Sequence, residues 1–197
     1  MTLNIFWHNN KVTFEDRCKT YKQKGIVLWF TGLSGAGKST IAAELENKLV
    51  SLGKITYMID GDNLRMGLNK DLGFSEESRY ENIRRTAEVA SLFKNAAVIT
   101  LVSVISPYRK MREMAKEIIG DAAFVDIYVK ADIETCINRD PKGLYKKAIN
   151  GEIVSFTGIS DRYEEPENPK VIIDTNELDL GNSVNVIMEY LANNKYI

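Results

Sequence analysis

The sequence predicts an α/β fold: a five-stranded parallel sheet with helices on both faces. Three observations support this prediction. Short apolar runs alternate along the chain with longer segments of helical periodicity, an order that is typical of parallel sheets. The first run leads through a glycine-rich loop into a helix, over residues 26–52. Polar residues follow each of the first three runs, where the carboxyl ends of parallel strands form a ligand-binding edge.

The apolar runs place the strands, because each is short and bounded by glycine or polar residues. The predicted strands are residues 26–30, 54–59, 97–105, 124–129 and 171–173. Ser75 is a favourable N-cap for a long helix that runs through Asn95. Ser106 and Pro107 are a favourable N-cap and first residue for the next helix. The predicted helices are residues 14–22, 38–52, 75–95, 108–119, 133–139, 144–150 and 183–193.

The length of 197 residues, with 44% hydrophobic and 27% charged content, fits one ordinary globular domain. Residues 1–24 are rich in lysine, asparagine and charge, and they are interpreted as an N-terminal arm. Residues 25–197 are interpreted as a single domain built on the predicted sheet. We find no internal repeat or low-complexity linker that would divide it.

The glycine-rich loop is the most specific motif. Its sequence, GLSGAGKS at residues 32–39, fits the phosphate-binding pattern G-x-x-x-x-G-K-[ST]. A strand before it and a helix after it place backbone N–H groups around one anion. Lys38 would reach the β- and γ-phosphates, and the Ser39 hydroxyl would take one position on Mg²⁺. The alternative, a glycine-rich turn before an ordinary helix, does not require the lysine and serine. The loop therefore predicts a P-loop NTPase-type fold. It also predicts that the protein binds ATP or GTP.

Asp60 and Asp62 follow the second predicted strand, separated by one glycine. As a functional pair, one would hold Mg²⁺ and the other would orient an acceptor hydroxyl. The alternative is a turn whose aspartates cap a short helix at residues 63–67. Beside a phosphate-binding loop, the functional interpretation is favoured, with Asp60 assigned to the metal and Asp62 to the acceptor.

Other features narrow the class of P-loop protein. The segment Asn69-Lys70-Asp71 resembles the guanine-binding motif Asn-Lys-x-Asp, but its aspartate is one position early and no strand precedes it. This argues against a small GTPase. The third predicted strand ends without an aspartate for a metal, so the carboxylates after the second strand must serve that role. This arrangement suits a kinase whose acceptor lies beside the γ-phosphate.

Basic residues cluster after the second strand. Some fit a solvated helix face, and others fit a site for an anionic substrate. Arg84, Arg85 and Arg112 fit a solvated helix face paired with nearby glutamates. Arg65 and Arg79 flank the glycine-rich segment 67–74, and for them an anionic second substrate is an equally good explanation.

Composition excludes several other classes. The formal net charge of −1 provides no basic excess for non-specific nucleic-acid binding. The longest near-apolar run, residues 96–105, is about half of a membrane span. Residues 1–6 lack the pattern of a secretory signal. Cys18 and Cys136 are far apart, so reduced thiols are expected. We therefore expect a cytoplasmic protein with no nucleic-acid or membrane partner.

The ordered combination of motifs closely resembles the adenylylsulfate kinase (APS kinase) family, and the resemblance runs from Trp7 to Asp174. It implies transfer of the γ-phosphoryl group of ATP to the ribose 3′-hydroxyl of adenosine 5′-phosphosulfate (APS), giving 3′-phosphoadenosine 5′-phosphosulfate (PAPS). Besides the loop, the motifs are DGDNLR at 60–65, DLGFS at 71–75, ENIRR at 81–85, ISPYR at 105–109, DPKGLY at 140–145, FTGI at 156–159 and YEEPENP at 163–169.

The resemblance assigns roles to matching positions. It implies Mg²⁺ at Ser39 and Asp60, a catalytic set of Lys38, Asp62 and Ser106, and a mobile lid at about residues 151–165. The implied ATP-binding residues are Gly32, Leu33, Ser34, Gly35, Ala36, Gly37, Lys38, Ser39, Thr40 and Arg139, the last beside the ATP base. The implied acceptor-binding residues are Asp62, Arg65, Phe74, Arg79, Asn82, Ile105, Ser106, Lys142 and Phe156, with the two phenylalanines on either side of the adenine.

In the family, the serine that matches Ser106 is often described as a phosphoserine intermediate. Direct in-line transfer needs only positioning and charge neutralisation, and a helix start explains Ser106 without covalent chemistry, so its role stays open. The family also implies a homodimer, to which the apolar arm residues Ile5, Phe6 and Trp7 could contribute. We expect that any link to ATP sulfurylase involves a separate chain. The lid departs from the family at residues 160–162, Ser-Asp-Arg.

Two rival interpretations remain. The first is another P-loop kinase that acts on a nucleoside monophosphate, gluconate or a similar hydroxyl compound. It shares the loop and lid but lacks the combined DGDN and FTGI motifs. The second is a nucleotide-dependent regulatory module with little turnover, whose hydrolysis would need a protein partner rather than a small acceptor.

Overall fold

A parallel five-stranded sheet forms the centre of the molecule. The computed structural model describes Phe6, His8 and residues 10–197, and the arm residues Ile5 and Trp7 lie outside this description. The strand order is β2-β3-β1-β4-β5 and every neighbouring pair is parallel, which confirms the predicted fold class. The strands are β1 Ile26–Thr31, β2 Thr56–Asp60, β3 Ile99–Ser103, β4 Phe124–Lys130 and β5 Val171–Asp174.

Each predicted strand is present, but β3 is shorter than the predicted segment 97–105. Ala97 has a φ of 61° and closes the turn after the preceding helix, because its N–H donates to the carbonyl of Lys94. At the other end, the chain turns away from the sheet before Ser106, whose φ is 40°. The chain therefore bends at both ends of β3, although the residues there are apolar enough to look like a strand. Beyond β3, Val104 keeps one backbone hydrogen bond to Phe30 of β1.

Eight α-helices and one short 3-10 helix, Asp121–Ala123, are present in the described part of the chain. The α-helices are α1 Phe14–Tyr21, α2 Lys38–Ser51, α3 Gly61–Met66, α4 Glu76–Asn95, α5 Arg109–Ile119, α6 Ile133–Arg139, α7 Leu144–Ile149 and α8 Leu180–Asn193. No described helix has the length and apolar content needed to cross a membrane.

The structure confirms some of the predicted helix N-termini and contradicts others. Ser75 caps α4 as predicted, because its side chain accepts from the N–H of Ser78. The prediction that Ser106 caps α5 is wrong, since the N-cap is Tyr108, which makes no side-chain cap bond. Helix α8 begins before residue 183, because Asp179 accepts from the N–H of Asn182. Aspartate is a preferred N-cap residue, so the sequence did contain a signal for this helix start.

The core has two layers because side chains of β1 alternate between the two faces of the sheet. Leu28 and Phe30 point toward the layer that contains α2 and α8, whereas Val27 and Trp29 point toward α4 and α5. All six residues of β1 are buried, as expected for the central strand of a sheet that is covered on both faces. The carboxyl end of β1 is thus held rigidly where the phosphate-binding loop begins.

Candidate active site

A cavity of about 700 Å³ lies at the carboxyl ends of β1, β2 and β3. This is the edge at which the sequence predicted a site, because polar segments follow all three strands. Gly32 and Leu33 are the predicted site residues that do not line the cavity. Those that line it are Ser34, Gly35, Ala36, Gly37, Lys38, Ser39, Thr40, Asp60, Asp62, Arg65, Phe74, Arg79, Asn82, Ile105, Ser106, Arg139, Lys142 and Phe156.

The glycine-rich loop has backbone angles that favour glycine. Gly35 and Gly37 have φ values of 75° and 100°, in the left-handed region that side chains with a Cβ rarely adopt. At Gly32, with φ of 150°, an added Cβ would lie 2.3 Å from the carbonyl oxygen of Val129 on β4. Gly32 is therefore required for packing against the neighbouring strand, which is a different reason from the close approach of phosphate that the motif suggests.

The Lys38 ammonium bonds to the loop itself. Its Nζ donates to the carbonyl oxygens of Gly32, at 3.0 Å, and Leu33, at 2.8 Å. These two residues therefore support the site through Lys38, although they do not line the cavity. Burial of the ammonium lowers the pKa of Lys38 to about 8, because desolvation disfavours the charged form.

We predict that the affinity for ATP falls as pH rises above 8. Without ligand, Lys38 loses its proton as pH rises through about 8, whereas bound phosphates require the ammonium. Binding at higher pH must then take up one proton, so the Kd for Mg-ATP should rise by up to about tenfold per pH unit. Titration calorimetry between pH 7 and 9.5 measures this slope. The variant Lys38→Arg should show no such slope, because arginine stays charged; a flat wild-type profile would contradict the prediction.

Ser39 and Asp60 meet at the start of α2. The Ser39 hydroxyl donates to Asp60 Oδ2 at 2.7 Å and lies 2.9 Å from the hydroxyl of Ser103 on β3. Asp60 also caps α3, because its Oδ1 accepts from the N–H of Asp62. The capping interpretation of this aspartate therefore describes a real contact, whereas its role toward a metal stays a prediction. Ser103 was missed, because a serine inside an apolar strand gives no signal of its own.

These oxygen donors suit Mg²⁺, which prefers one or two protein oxygens, substrate phosphates and water. Within the described residues there is no group of three or more histidine, cysteine, aspartate or glutamate side chains that could hold a metal alone. The donor set therefore fits an ion that arrives with a nucleotide, as the loop motif suggests.

Asp62 follows this corner at the start of α3, and its side chain pairs with Lys142. The bond to the Asp62 carboxylate raises the pKa of Lys142. Both side chains are more than half exposed, so the pair is readily rearranged when a ligand enters. Lys142 was expected to act on an anionic substrate directly, but here it faces a carboxylate.

Arg65 and Phe74 form one wall of the cavity. The Arg65 guanidinium carbon lies 4.4 Å from the centre of the Phe74 ring, and its Nη1 donates to the carbonyl oxygens of Leu72 and Gly73. Phe74 remains 61% exposed. An aromatic ring that is exposed and backed by a cation can stack on a planar ligand.

Arg79 was expected to bind a substrate anion, but the structure gives its guanidinium several protein partners. They are the carbonyl of Phe74 and three residues of segment 151–165, namely Ser155, Thr157 and the carboxylate of Asp161. Arg79 is 8% exposed, so burial and these contacts fix it in place. Sequence reasoning could not find Asp161 as its partner, because the two residues are 82 positions apart.

Asn82 is positioned by a second asparagine. The side chain of Asn69 donates to Asn82 Oδ1 at 3.0 Å, and both side chains are buried. Asn69 belongs to the segment that resembles a guanine motif, but it follows α3 rather than a strand. The structure thus supports the rejection of that motif and gives Asn69 a supporting role.

Ser106 is buried within a hydrogen-bonded group. Its hydroxyl donates to Thr31 Oγ1 at 3.0 Å and accepts from Trp29 Nε1 at 3.2 Å. The Thr31 hydroxyl donates in turn to the carbonyl of Ile105 at 2.7 Å. Ser106 is 1% exposed, so these contacts, together with its positive φ, give it a structural role at the cavity wall.

The expectation that Arg112 is exposed to solvent is wrong. It was interpreted as part of a solvated helix face, but it is 6% exposed and donates to the carbonyls of Ser106, at 2.7 Å, and Glu164, at 2.6 Å. Arg84 and Arg85 do form ion pairs with Glu81 on α4, as interpreted. Arg112 differs because α5 turns its side chain under the loop after β3.

Arg139 borders the opposite end of the cavity. Its guanidinium donates to the carbonyl of Thr175 at 2.7 Å, to the Thr175 hydroxyl at 3.0 Å, and to the carbonyl of Gly35. Thr175 and Leu178, which follow β5, also line this end. They were not predicted, because nothing in their local sequence marks them as ligand contacts.

Comparisons of the sequence with known proteins identify one family. A family model described as adenylylsulphate kinase matches residues 24–174. The adenylyl-sulfate kinase of Clostridium acetobutylicum is 51% identical over 194 residues, which cover 98% of this chain and 96% of that protein.

Two solved structures extend the comparison. One is Mycobacterium tuberculosis APS kinase in complex with AMPPNP and APS. It superposes with a TM-score of 0.84 at 41% identity, over 86% of this chain and 99% of that one. A hexameric APS kinase from Thiobacillus denitrificans gives a TM-score of 0.68 at 32% identity, over 90% of this chain and 30% of that one.

Proposed function

This chain belongs to the adenylylsulphate kinase family, and we propose that its cavity transfers the γ-phosphoryl group of ATP to the 3′-hydroxyl of APS. One observation carries this function. A single cavity joins a phosphate-binding loop to a second half lined by two arginines, two phenylalanines and Asp62. The loop accounts for ATP, and the second half has the aromatic and cationic groups that a nucleotide acceptor with an anionic tail requires.

ATP occupies the half formed by the loop, Thr40 and Arg139. Backbone N–H groups of the loop and the start of α2 bind its phosphates, and Lys38 adds a buried positive charge. Ser39 and Asp60 would hold Mg²⁺, which neutralises charge on the β- and γ-phosphates when it is bound. Arg139 is fixed by Thr175 at the rim, which supports its position beside the base of ATP.

APS occupies the other half. Phe74 and Phe156 stack on its adenine, Asn82 offers its amide, and Arg65 supplies a cation for the phosphosulfate. Ile105 and Ser106 shape the wall beside the ribose, where Arg112 and Thr31 hold the loop after β3. The acceptor hydroxyl is thereby brought to Asp62, on the γ-phosphate side of the cavity.

Transfer is a direct in-line displacement. The ribose 3′-oxygen attacks the γ-phosphorus, the bond to the β–γ bridging oxygen breaks, and ADP leaves with the electron pair. Asp62 orients the hydroxyl and accepts its proton. Lys38 stabilises negative charge that spreads over the transferring group, because a fixed ammonium in a buried site needs little reorganisation.

Ser106 is not a covalent carrier in this scheme, and a variant tests this. Ser106→Ala should retain kcat within about tenfold and form the same product, while the unpaired Trp29 Nε1 lowers the free energy of unfolding by about 1–2 kcal/mol. Initial rates and denaturant unfolding measure both effects. Loss of turnover in Ser106→Ala, together with acid-stable phosphate on wild-type protein mixed with labelled ATP alone, would instead assign it a phosphoserine intermediate.

The direct test of the function is ADP release from Mg-ATP with and without APS, with the nucleotides separated by chromatography. We expect ADP formation that depends on APS, with an equal amount of a 3′-phosphorylated product. Acceptor-independent ADP release would contradict the assignment. Adenosine monophosphate and gluconate serve as matched alternative acceptors, because they test the rival kinase interpretations.

We also propose that the chain acts as a homodimer and receives APS from a separate ATP sulfurylase. Exposed apolar side chains support self-association, since Leu52, Ile55, Tyr57 and Leu92 are between 41% and 68% exposed near the β2 edge. Light scattering at micromolar concentration tests the dimer, and a coupled assay with the sulfurylase tests the supply of substrate.

A further inference from the structure

Asn69 lies in the segment between α3 and α4, and it is fully buried. Its N–H donates to the carbonyl of Leu64 at 2.8 Å, and its carbonyl accepts from the N–H of Leu72 at 3.1 Å. These two bonds hold the Asn69 backbone on either side of its side chain. The side-chain Nδ2 donates to Asn82 Oδ1 on α4 at 3.0 Å, so a buried residue of this segment holds a side chain of the cavity wall.

A second contact attaches the same segment to α4. Arg85 donates through Nη1 and Nη2 to the two carboxylate oxygens of Asp71, at 2.8 and 2.9 Å. A bidentate pair of this kind restricts the orientation of both groups. The segment 69–71, which resembles a guanine-binding motif, therefore uses Asn69 and Asp71 to attach to α4. Asn69 is thus held firmly enough to fix the orientation of the Asn82 amide.

The bond from Asn69 determines which group of the Asn82 amide is free. An asparagine side chain has an oxygen that accepts hydrogen bonds and an N–H₂ group that donates them. Asn82 Oδ1 is used by Asn69, whereas Asn82 Nδ2 has no hydrogen-bond partner among the described residues. It is also not enclosed, since the buried side-chain polar atoms without a partner in this part of the chain are Asn69 Oδ1 and Thr100 Oγ1. Because Asn82 lines the cavity, its N–H₂ group is the part that a ligand can reach.

The reverse orientation of both amides would change what the cavity presents to a ligand. Asn82 Nδ2 would then donate to Asn69 Oδ1, and the Asn82 oxygen would face the ligand. One buried atom of Asn69 stays unpaired in either orientation, so the interior does not favour one over the other. The charge of the cavity does, because Arg65 and Arg79 line it and attract an anion. An amide oxygen repels an anion, whereas an N–H₂ group binds it.

Asn82 and Arg79 are three residues apart on α4, so their side chains are neighbours on one face of the helix. Both line the cavity. Arg79 Nη1 donates one of its two N–H groups to the Thr157 hydroxyl, and the other makes no hydrogen bond to the described residues. The Asn82 N–H₂ group and this N–H of Arg79 can therefore bind the same anionic group of a ligand.

We propose that Asn69 is a positioning residue that turns the Asn82 amide so that its N–H₂ group, and not its oxygen, faces the anionic tail of the acceptor. Asn69 is fully buried and does not line the cavity, so it acts through Asn82 and does not touch the acceptor itself. The identity of the acceptor as APS rests on the proposed function, whereas the orientation of the amide is a property of the free protein.

The variant Asn69→Leu tests the positioning role. Leucine has nearly the same shape as asparagine but cannot donate a hydrogen bond, so the Asn82 amide is no longer held. We expect the KM for APS to rise about threefold or more, while kcat at saturation and the Kd for Mg-ATP change by less than about twofold, because only an acceptor contact is weakened. A wild-type KM, or a fall in kcat alone, in a variant that circular dichroism shows to be folded would overturn the proposal.

The variant Asn82→Asp tests the polarity of the contact. One carboxylate oxygen can still accept from Asn69, and the other replaces the N–H₂ group that faces the cavity. Repulsion of the anionic acceptor should then raise the KM for APS about tenfold or more, and further than Asn69→Leu does. An unchanged KM would contradict the proposal, because it is the result expected if Asn82 already presents an oxygen. Asn95→Asp is the matched control, since it makes the same replacement at the exposed last residue of α4 and should leave the KM unchanged.

Side-chain amide exchange in the ¹⁵N-labelled wild-type protein tests the orientation without any ligand or variant. The N–H₂ protons of Asn82 should exchange with solvent about tenfold faster than those of Asn69 or more, because they face the cavity and make no hydrogen bond. Equally slow exchange at Asn82 would overturn the proposal, since its N–H₂ group would then be donating to Asn69. Because this measurement needs no APS, it separates failure of the inference from failure of the proposed function, which the acceptor-dependent assay decides.

Discussion

Replacing Lys38 with methionine is expected to lower kcat for APS phosphorylation by about a thousandfold, which corresponds to about 4 kcal/mol of transition-state stabilisation. Lys38 is 8% exposed and bonds to two loop carbonyls, so its charge is fixed beside the phosphates before the reaction begins. Methionine has similar length but no charge. Initial rates at saturating ATP and APS, together with the Kd for Mg-ATP, measure the loss.

The matched control for Lys38→Met is Lys48→Met on the same helix. Lys48 is exposed and donates to Asn185, away from the cavity, so its replacement should leave kcat within about twofold. Circular dichroism must show that both variants fold. A Lys38→Met variant that weakens ATP binding but keeps a normal kcat at saturation would contradict the prediction, because Lys38 would then act only in binding.

The sheet and the loop at one end of the cavity could be predicted because their signals are local. The five apolar runs each became a strand, and the loop motif fixes its glycines, Lys38 and Ser39 within eight consecutive residues. Asp60 at the end of β2 lies beside Ser39 after β1 although β3 separates the two strands, because polar residues that follow parallel strands meet at one edge of the sheet.

The partners of the charged side chains could not be predicted, because they depend on contacts between distant segments. Arg79 was assigned to the acceptor from its motif, but its carboxylate partner lies 82 residues away. Lys142 pairs with Asp62 across 80 residues. Arg112 looked like a surface residue, since its burial depends on how α5 packs against the segment around Glu164 rather than on its own neighbours.

Ser106 illustrates a different limit. A serine before a proline is a good helix start, and the local sequence contained nothing to oppose that interpretation. The structure instead uses its hydroxyl between Trp29 and Thr31, and the helix begins at Arg109. The buried Trp29 N–H needs a hydrogen-bond acceptor, and the Ser106 hydroxyl serves that need instead of capping the helix. Sequence alone does not show this, because Trp29 lies 77 residues away.

Asp62 gives the second large expected effect. We expect Asp62→Asn to lower kcat about a hundredfold or more, because asparagine keeps the shape but cannot accept the proton of the 3′-hydroxyl. The Kd for Mg-ATP should change by only a few-fold, since we assign Asp62 to the acceptor rather than to ATP. Loss of the pair with Lys142 should cost little stability, because both side chains are more than half exposed.

The variant Asp60→Asn is the comparison that separates a role in metal binding from a role in orienting the acceptor. Asp60 accepts from the Ser39 hydroxyl at 2.7 Å, so its replacement should raise the Mg²⁺ concentration needed for half-maximal activity, whereas Asp62→Asn should not. Rates measured across a Mg²⁺ titration distinguish the two aspartates. If Asp62→Asn instead raised the Mg²⁺ requirement and reached normal turnover at high Mg²⁺, Asp62 would serve the metal. The acceptor hydroxyl would then give up its proton without a protein base, which a loose transition state permits.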